Sequence, residues 1–416
     1  MNHNAPAHPL AADEEYTGLM GLASLLRLSL SGADISPLGQ KLLERAQANP
    51  DDANSLMDLS TVLQFMGDRE LALSMQAEAL RMQQLYRLPA TGGTPAIRLL
   101  AIMGPGDLMA NTPLECLVED SDVDLSMLYL APNLPLSQTV PDHDVLIVAV
   151  GESDDNRPIL KMVEEFIKDW PRPALNTPER IAHLSRDNAY ALLQDVPGII
   201  MPASARIDRQ SLEQVAAGEQ PIAAWLDNGL FPIIIRPVGS HAGQGLLKLY
   251  EPGAITDYLK MTPDNEFYIS HFVDYRAGDG RFRKYRIALI NGRPFACHMA
   301  ISDHWIIHYL NAGMTESEEK RAEEERFMTE FDAAFARRHA QALAAITERV
   351  GLDYVGIDCA ETLDGQLLIF EIDNAMVVHA MDPVDLFPYK QPQMKKVFGA
   401  FRRMLIDAKN RMGRNS

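Results

Sequence analysis

The chain has 416 residues, of which 38 are basic and 57 acidic, so its formal net charge at pH 7 is −19. It contains no basic cluster and no run of roughly 18 or more apolar residues, which argues against a nucleic-acid or membrane partner. Its three cysteines, Cys116, Cys297 and Cys359, are too scattered for a disulfide framework or a zinc site. The first residues lack a secretory signal pattern, so we expect a cytoplasmic protein with more than one domain.

Residues 16–88 are predicted to be helical throughout, because leucines recur at three- and four-residue steps. Residues 49–52 precede a helix start, and Gly67-Asp68 interrupts the pattern. Residues 53–87 resemble one tetratricopeptide repeat, with leucines in place of its large aromatic residues. Since one such unit does not bury its own face, the resemblance implies either a cap on the next domain or a surface for a protein partner or self-association.

After the turn-rich segment 91–95, the pattern changes to alternating strands and helices. The strands are predicted at residues 97–103, 124–130 and 144–150, and the helices at 113–118 and 158–170. This alternation is typical of a small α/β unit with a parallel sheet. The segment 104–107 lacks the spacing of a dinucleotide fingerprint, so we interpret it as a tight turn between strand and helix.

Two helices are then predicted, with Thr177 and Ser185 as N-caps, followed by a short strand at 199–202 and a helix at 211–227. A buried strand at 231–237 leads Arg236 into a glycine-rich loop, residues 238–245, and strand character returns at 246–250. Glycine permits positive φ and close approach, which favours a flap whose amides close over anionic oxygens. An ordinary glycine-rich hairpin is the alternative.

An apolar strand at 266–274, an arginine-led strand at 286–290 and an Asn291-Gly292 turn follow. The charged segment 320–326 is interpreted as a solvated helix face without chemistry, stabilised by pairs four residues apart. The final predicted helix, about 393–411, places four apolar side chains on one stripe: Met394, Val397, Phe401 and Leu405.

The segment 354–374 is predicted to form a hairpin, because two β-prone runs flank Asp364-Gly365. With those two residues as the loop, Asp358 lies opposite Glu371, and Asp373 lies on the same face of the hairpin. Carboxylate oxygens are the ligands that Mg²⁺ prefers, so we interpret this face as a magnesium platform. A solvated acidic strand face is the alternative.

This ordered set of motifs resembles the ATP-grasp superfamily over roughly residues 97–400, closest to the ribosomal-protein-S6-modifying ligase and glutathione synthetase branch. The resemblance implies an α/β fold built from α+β lobes. It divides the chain into a helical segment, 1–90, an α/β domain, 91–175, and an ATP-grasp domain, 176–416, with lobes of about 176–273 and 274–416. It implies ATP and one or two Mg²⁺ ions, with Mn²⁺ able to substitute.

The resemblance also assigns the nucleotide-binding residues. Arg186 and Arg236 stand where relatives have two phosphate-contacting lysines. The loop residues expected over the phosphates are Ser240, His241, Gly243 and Gly245. The strand whose backbone is expected to contact adenine comprises Tyr268, Ile269, Ser270, His271, Phe272 and Val273. Either Asp274 or Asp279 is expected to bind the ribose hydroxyls.

Catalytic and metal-binding roles are implied in the same way. Arg286 matches the arginine that contacts the transferred phosphoryl group, and Asn311 and His308 are expected on the acceptor side. A structural histidine is the alternative for His308. Asp358 and Glu371 match the Mg²⁺ ligands. Asp373 stands where relatives have asparagine, and since Asn374 follows it, either residue is a candidate for that role.

The resemblance therefore implies an ATP- and Mg²⁺-dependent carboxylate–amine ligase that forms an amide through an acylphosphate, acting on small molecules or peptides. The alternatives are a kinase that phosphorylates a hydroxyl and a nucleotide-sensing scaffold that binds partners through its N-terminal helices. Residues 377–383 differ from the small-residue loop of relatives, so the sequence does not identify the substrates. The resemblance and the helical N-terminus favour a dimer.

Overall fold

The computed structural model describes residues 18–91, 93–136, 138–227, 229–240 and 243–412. The predicted fold class is confirmed: the protein is a mixed α/β structure with several sheets and a helical N-terminal segment. No helix in the described ranges is long and apolar enough to cross a membrane.

Four helices form the N-terminal segment: α1, Gly21–Leu30; α2, Ser36–Ala48; α3, Ala53–Phe65; and α4, Arg69–Met82. Asp52 and Asp68 cap α3 and α4, because their carboxylates accept hydrogen bonds from the third residue on, Ser55 and Leu71. The helical prediction is wrong at its end, since β1, Leu85–Leu88, is a strand. α3 and α4 pack as a helix pair, and the tetratricopeptide assignment stays a prediction.

The first sheet has the strand order β1-β3-β2-β4-β5. Its further elements are β2, Ile97–Met103; α5, Leu114–Val118; β3, Val123–Tyr129; β4, Val145–Val148; α6, Arg157–Ile167; and β5, Ala174–Leu175. β2 is parallel to β3 and β4, which confirms the predicted parallel sheet, and the missed strand β1 pairs antiparallel at its edge. The β2–α5 connection covers residues 104–113, so the tight turn predicted there is wrong.

The small lobe, residues 204–271, is a four-stranded antiparallel sheet of order β7-β10-β8-β9 with a core of its own. Its elements are β7, Ser204–Asp208; α9, Arg209–Ala216; β8, Ile233–Pro237; β9, Leu247–Leu249; α10, Gly253–Lys260; and β10, Glu266–His271. The sequence missed β7, and the predicted helix at 211–227 is shorter, since α9 ends at Ala216. Two helices and a strand precede the small lobe: α7, Pro178–Ile181; α8, Arg186–Leu193; and β6, Ile199–Ile200. Thr177 and Ser185 hold the N-cap positions without side-chain capping bonds.

The third sheet has the order β12-β11-β13-β14-β6. Its elements are β11, Phe282–Ile290; β12, Arg293–Ser302; α11, Glu318–Thr329; α12, Phe335–Arg338; α13, Ala340–Val350; β13, Tyr354–Glu361; β14, Leu367–Asp373; and α14, Lys390–Met412. The predicted stripe on α14 is confirmed as buried. One core joins this sheet, the first sheet and the inner faces of α3 and α4, and we call these parts together the main body.

Candidate functional site

A cavity of about 720 Å³ lies between the small lobe and the main body. Most of the predicted site residues line it: Arg186, Arg236, Gly243, Tyr268, Ser270, His271, Phe272, Val273, Arg286, His308, Asn311, Asp358, Glu371 and Asp373. Five others are not among its lining residues: Ser240, Gly245, Ile269, Asp274 and Asp279. His241 lies outside the described residues. The folding of the chain therefore brings most candidates together, and their individual roles stay predictions.

The hairpin of β13 and β14 has the predicted pairing at the site: Asp358 lies opposite Glu371, and Gly356 opposite Asp373. The two-residue turn is wrong, however, because Thr362 N donates to Gln366 O at 3.0 Å around a three-residue loop, 363–365. The longer loop shifts the pairing by one residue, so that Cys359 pairs with Ile369. A bulge at Phe370 then restores the predicted pairing at Asp358 and Glu371. The carbonyl of Phe370 accepts a hydrogen bond from Arg186 Nη1 at 3.0 Å, so the bulge also helps to position that arginine.

Asp358 binds two cationic side chains. Its Oδ1 and Oδ2 accept from Arg286 Nε and Nη2 at 2.8 and 3.0 Å, and Oδ2 also accepts from Lys284 Nζ at 3.0 Å. The carboxylate side chain is only 5% exposed. Burial opposes its ionisation, but the charges of Arg286 and Lys284 hold the pKa of Asp358 well below its usual range. Arg286 Nη1 also donates to Val377 O at 2.9 Å, which fixes the guanidinium on three sides.

Glu371 and Asp373 are less fully compensated. Glu371 Oε1 accepts from Arg186 Nη2 at 2.6 Å, and despite burial the charges of Arg186 and Arg236 lower the pKa of Glu371. Asp373 Oδ1 accepts from Ala375 N at 2.7 Å. Burial and the charge of Glu371 raise the pKa of Asp373 above its ordinary value. A cation beside these two carboxylates would relieve their repulsion.

Glu371 and Asp373 are therefore the carboxylates best suited to a divalent cation, whereas both oxygens of Asp358 already accept from Arg286 and Lys284. Across the described ranges, no group of three His, Cys, Asp or Glu side chains is placed to hold a metal ion. The three carboxylates thus share a face without forming one three-residue cluster. Asn374 points elsewhere, since its Nδ2 donates to Val150 O at 3.0 Å, so Asp373 is the residue at the cleft.

Arg236 faces the cleft from β8 of the small lobe. Its Nε donates to Ser240 Oγ at 3.0 Å, and Nη2 also contacts Ser240 O. Burial and the nearby charge of Arg186 lower the pKa of Arg236 to about 10. Within the described part of the chain, no carboxylate lies within ion-pair distance of this guanidinium. Among these residues Arg236 thus has a through-space attraction to Glu371 but no ion pair, which makes it the site's clearest indication of an anionic ligand.

The glycine loop lies against the main body at one point. Gly243 has φ +72°, and a Cβ added there would lie 2.5 Å from His308 Nε2. Gly245 has φ +66°, and its carbonyl accepts from Tyr258 OH at 2.8 Å, which ties the loop to α10. Glycine is therefore required at 243 for two reasons, backbone conformation and close approach.

His308 and Asn311 lie where β12 leads toward α11. Burial and the positive charge of Lys284 lower the pKa of His308, so its imidazole is neutral at pH 7. Asn311 is exposed at the end of a short 3₁₀ turn, Tyr309–Asn311, and both side chains line the cavity. Facing each other across the cleft, His308 and Gly243 connect the two lobes.

Strand β10 and the residues after it form the remaining wall. Ile269 is fully buried in the core of the small lobe, so only its backbone is available to a ligand. Lys248 Nζ lies 3.2 Å from the ring centroid of Phe272, a cation–π contact. The two ribose candidates lie elsewhere: Asp274 is exposed and accepts from Arg276 N, and Asp279 is bound by Arg281 and Arg283.

Two side chains at or beside the cavity were missed from the sequence. Lys284 lies two residues before Arg286 on β11, so strand alternation could have placed both on one face. Glu324, assigned to a solvated face, is 0% exposed, and that prediction is wrong. Its carboxylate accepts from Met299 N, Tyr309 OH and Tyr389 OH, at 3.0, 3.0 and 2.6 Å. The buried Met328 four residues later was the available signal.

No protein-family model and no curated protein matches this chain. Solved structures similar to it include D-alanine–D-alanine ligase from Bacillus anthracis complexed with ATP, at 13% identity, covering 77% of this chain and 99% of that one, with a TM-score of 0.45. VanG D-Ala:D-Ser ligase from Enterococcus faecalis has 12% identity, 75% and 99% coverage, and a TM-score of 0.46. A RimK domain protein ATP-grasp from Sphaerobacter thermophilus has 14% identity, 74% and 99% coverage, and a TM-score of 0.40. These similarities are too weak to indicate a function, which must therefore be inferred from this chain's own residues.

Proposed function

We propose that this chain is an ATP- and Mg²⁺-dependent carboxylate–amine ligase of the ATP-grasp kind, which forms an amide through an acylphosphate. The observation that carries the proposal is Arg236, a half-buried cation without an ion-pair partner among the described residues, in a cleft that it shares with Arg186. Two guanidiniums provide the forked donors that phosphate oxygens accept. The order of motifs along the sequence supplies the ligase class.

The nucleotide would lie between the lobes, with its phosphates between Arg236 and Arg186 and under the amides of the glycine loop. Its base would lie against residues 270–273, which line the same cavity. Bound Mg²⁺ would neutralise charge on the phosphate oxygens, and Glu371 and Asp373 are the residues that would hold it.

Arg286 is suited to stabilise the negative charge that develops as the phosphoryl group moves to the substrate carboxylate. Asp358 holds it through two hydrogen bonds, so it needs no reorganisation when that charge appears. Lys284 adds a second fixed positive charge beside it. The neutral imidazole of His308 can accept the proton that the attacking amine releases, and Asn311 can orient the acceptor.

The test measures two products together. The purified chain is incubated with MgATP and pairs of amino acids, short peptides or polyamines, while ADP is followed by a coupled assay and amides by mass spectrometry. A substrate carboxylate labelled with oxygen-18 should transfer one labelled oxygen to phosphate. ADP formation without this transfer would indicate a kinase. If no substrate pair gives ADP, both the ligase and the kinase are contradicted.

The nucleotide site has a separate test. Arg236→Met should weaken binding of a non-hydrolysable ATP analogue by about 30-fold or more, as expected for losing a buried charge pair worth about 2 kcal/mol. The matched control is Lys260→Met, an exposed cation of the same lobe, which should bind the analogue normally. Equal affinities of the two variants, measured by calorimetry, would contradict the assignment of Arg236.

A further inference from the structure

One end of the cavity is built by the N-terminal helices. Leu26 and Leu30 of α1 line it together with Met109. The two leucines are four residues apart, so they lie on one face of the helix. The sequence suggested a cap or a partner surface for this segment, whereas α1 is part of the cleft wall. We call the part formed by these three residues and by 376–379 the α1 end.

The position of α1 is fixed by buried carboxylates at its N-terminus. Asp58 of α3 accepts hydrogen bonds from the backbone N of Met20 and Gly21 at 2.8 and 3.0 Å, and Glu115 of α5 accepts from Ala23 N at 3.2 Å. Gly21 is needed there, because an added Cβ would lie 2.5 Å from Glu115 Oε2. The leucines therefore stand on a rigid support.

The opposite wall connects the α1 end to the reacting centre. Val377 accepts the hydrogen bond from Arg286, and Met376 lies so close to β13 that a Cβ added to Gly356 would be 2.7 Å from its Sδ. A Cβ added to Gly151 would lie 3.1 Å from Ala375 Cβ and 3.3 Å from Met109 O, which joins this wall to Met109. The α1 end is thus continuous with the part of the cavity that Arg286 lines.

The charged groups around the α1 end are already compensated. Lys390 Nζ lies 3.0 Å from Asp382 and 3.4 Å from Glu324. Burial lowers the pKa of both His379 and His298, so these imidazoles are neutral at pH 7. The leucine and methionine side chains supply apolar surface, and an ionised substituent would find no unpaired counter-charge among the described residues of this end.

We propose that the α1 end binds an aliphatic side chain carried by one of the two ligated substrates, and that Leu26 and Leu30 determine this specificity. The inference rests on the proposed function, which assigns the other end of the cleft to the nucleotide. Aliphatic burial against these side chains provides the discrimination, and the free amino acid and a short peptide present the same chemistry.

Calorimetry on the full chain, loaded with Mg²⁺ and a non-hydrolysable ATP analogue, tests this without turnover. The probes are leucine, methionine, alanine and glutamate, each as the free amino acid and as the alanyl dipeptide. Leucine and methionine should bind roughly tenfold tighter than alanine, and glutamate should bind more weakly still. Whichever form binds more tightly shows whether the substrate that carries the side chain is a free amino acid or a short peptide.

The matched variants are Leu26→Ala and Leu30→Ala, with Leu43→Ala, an exposed leucine of α2, as control. Each of the first two should lose roughly tenfold in leucine affinity and keep its affinity for the ATP analogue, whereas the control should change neither. Equal affinity for all probes, glutamate preference, no binding by any probe, or no effect of both variants would overturn the proposal. If leucine binds but neither ADP nor an amide forms, the ligase proposal is rejected and the α1 end proposal stands. If an amide forms from glutamate alone, the ligase proposal stands and the α1 end proposal is rejected.

Discussion

The two walls of the cleft differ in how their charges are compensated. On the main body, Arg186, Lys284 and Arg286 each contact a carboxylate. On the small lobe, Arg236 contacts only the serine beside the glycine loop within the described residues. The cations of the main body are therefore held by carboxylates before any ligand binds, whereas Arg236 of the small lobe has no ion pair among the described residues.

The same division holds for packing. The small lobe has a separate hydrophobic core, and the main body shares one core among two sheets and the N-terminal helices. A unit with its own core can move as a rigid body, so we expect the small lobe rather than the main body to move when the cleft opens. Three predictions test this difference between the walls.

The largest effect is expected where the main body is preorganised. Asp358→Asn should lower the free energy of unfolding by about 3–5 kcal/mol, because it leaves Arg286 and Lys284 buried without a carboxylate. Urea denaturation measures this value. Asp332→Asn, a change at an exposed aspartate, is the control and should stay within about 0.5 kcal/mol of the wild type. A similarly small change for Asp358→Asn would mean that the pairing does not stabilise the main body.

The second prediction concerns pH. Burial raises the pKa of Glu115, which helps to hold α1, to about 7. The folded protein therefore keeps this proton where the unfolded chain has lost it, and Glu115 should lower the free energy of unfolding by up to about 3 kcal/mol as pH rises from about 4.5 to about 7. Glu115→Gln should remove this loss while keeping an acceptor for Ala23 N. Urea denaturation at about pH 5 and about pH 8 measures it, and identical pH dependences would contradict it.

The smallest effect is expected in the glycine loop. Gly239 and Gly243 both have positive φ, but only at Gly243 would a Cβ meet His308. Alanine at either position should cost roughly 1 kcal/mol of stability, since both backbones are left-handed. Only Gly243→Ala should also weaken the binding of the ATP analogue, by a few-fold, because the added methyl group would hold the glycine loop away from the main body. Equal affinities in calorimetry would show that this contact does not control closure.

The hairpin shows what a sequence can predict and where it stops. The pairing of Asp358 with Glu371 followed from an assumed two-residue turn and was correct only because the turn has three residues and a bulge at Phe370 restores the register. Two local errors cancelled. Alternation is a strong constraint on a buried face, whereas loop length and bulges depend on tertiary contacts such as the bond from Arg186 to Phe370 O.

Other features depended on contacts between distant segments. Glu324 belongs to a charge-rich helix whose composition indicates solvent, yet it is buried by Tyr309 and Tyr389. Leu26 was correctly placed in a helical segment, but no local pattern tells which cleft a helix lines. Lys284 lies two residues before Arg286, so strand alternation alone places both side chains on one face of β11.

Helix α14 has a consequence for the kinetics of the cleft. It packs on strands of both main-body sheets, and Arg402 and Lys409 bind Asp122 and Asp144 of the first one. The two sheets are thereby joined, so we expect the small lobe, which has a core of its own, to be the part that moves when the cavity opens. Hinge motions of this kind occur on microsecond to millisecond timescales and set product release in many enzymes. We therefore expect residues 201–203 and 272–275, which link the lobe to the main body, to control the opening of the cavity.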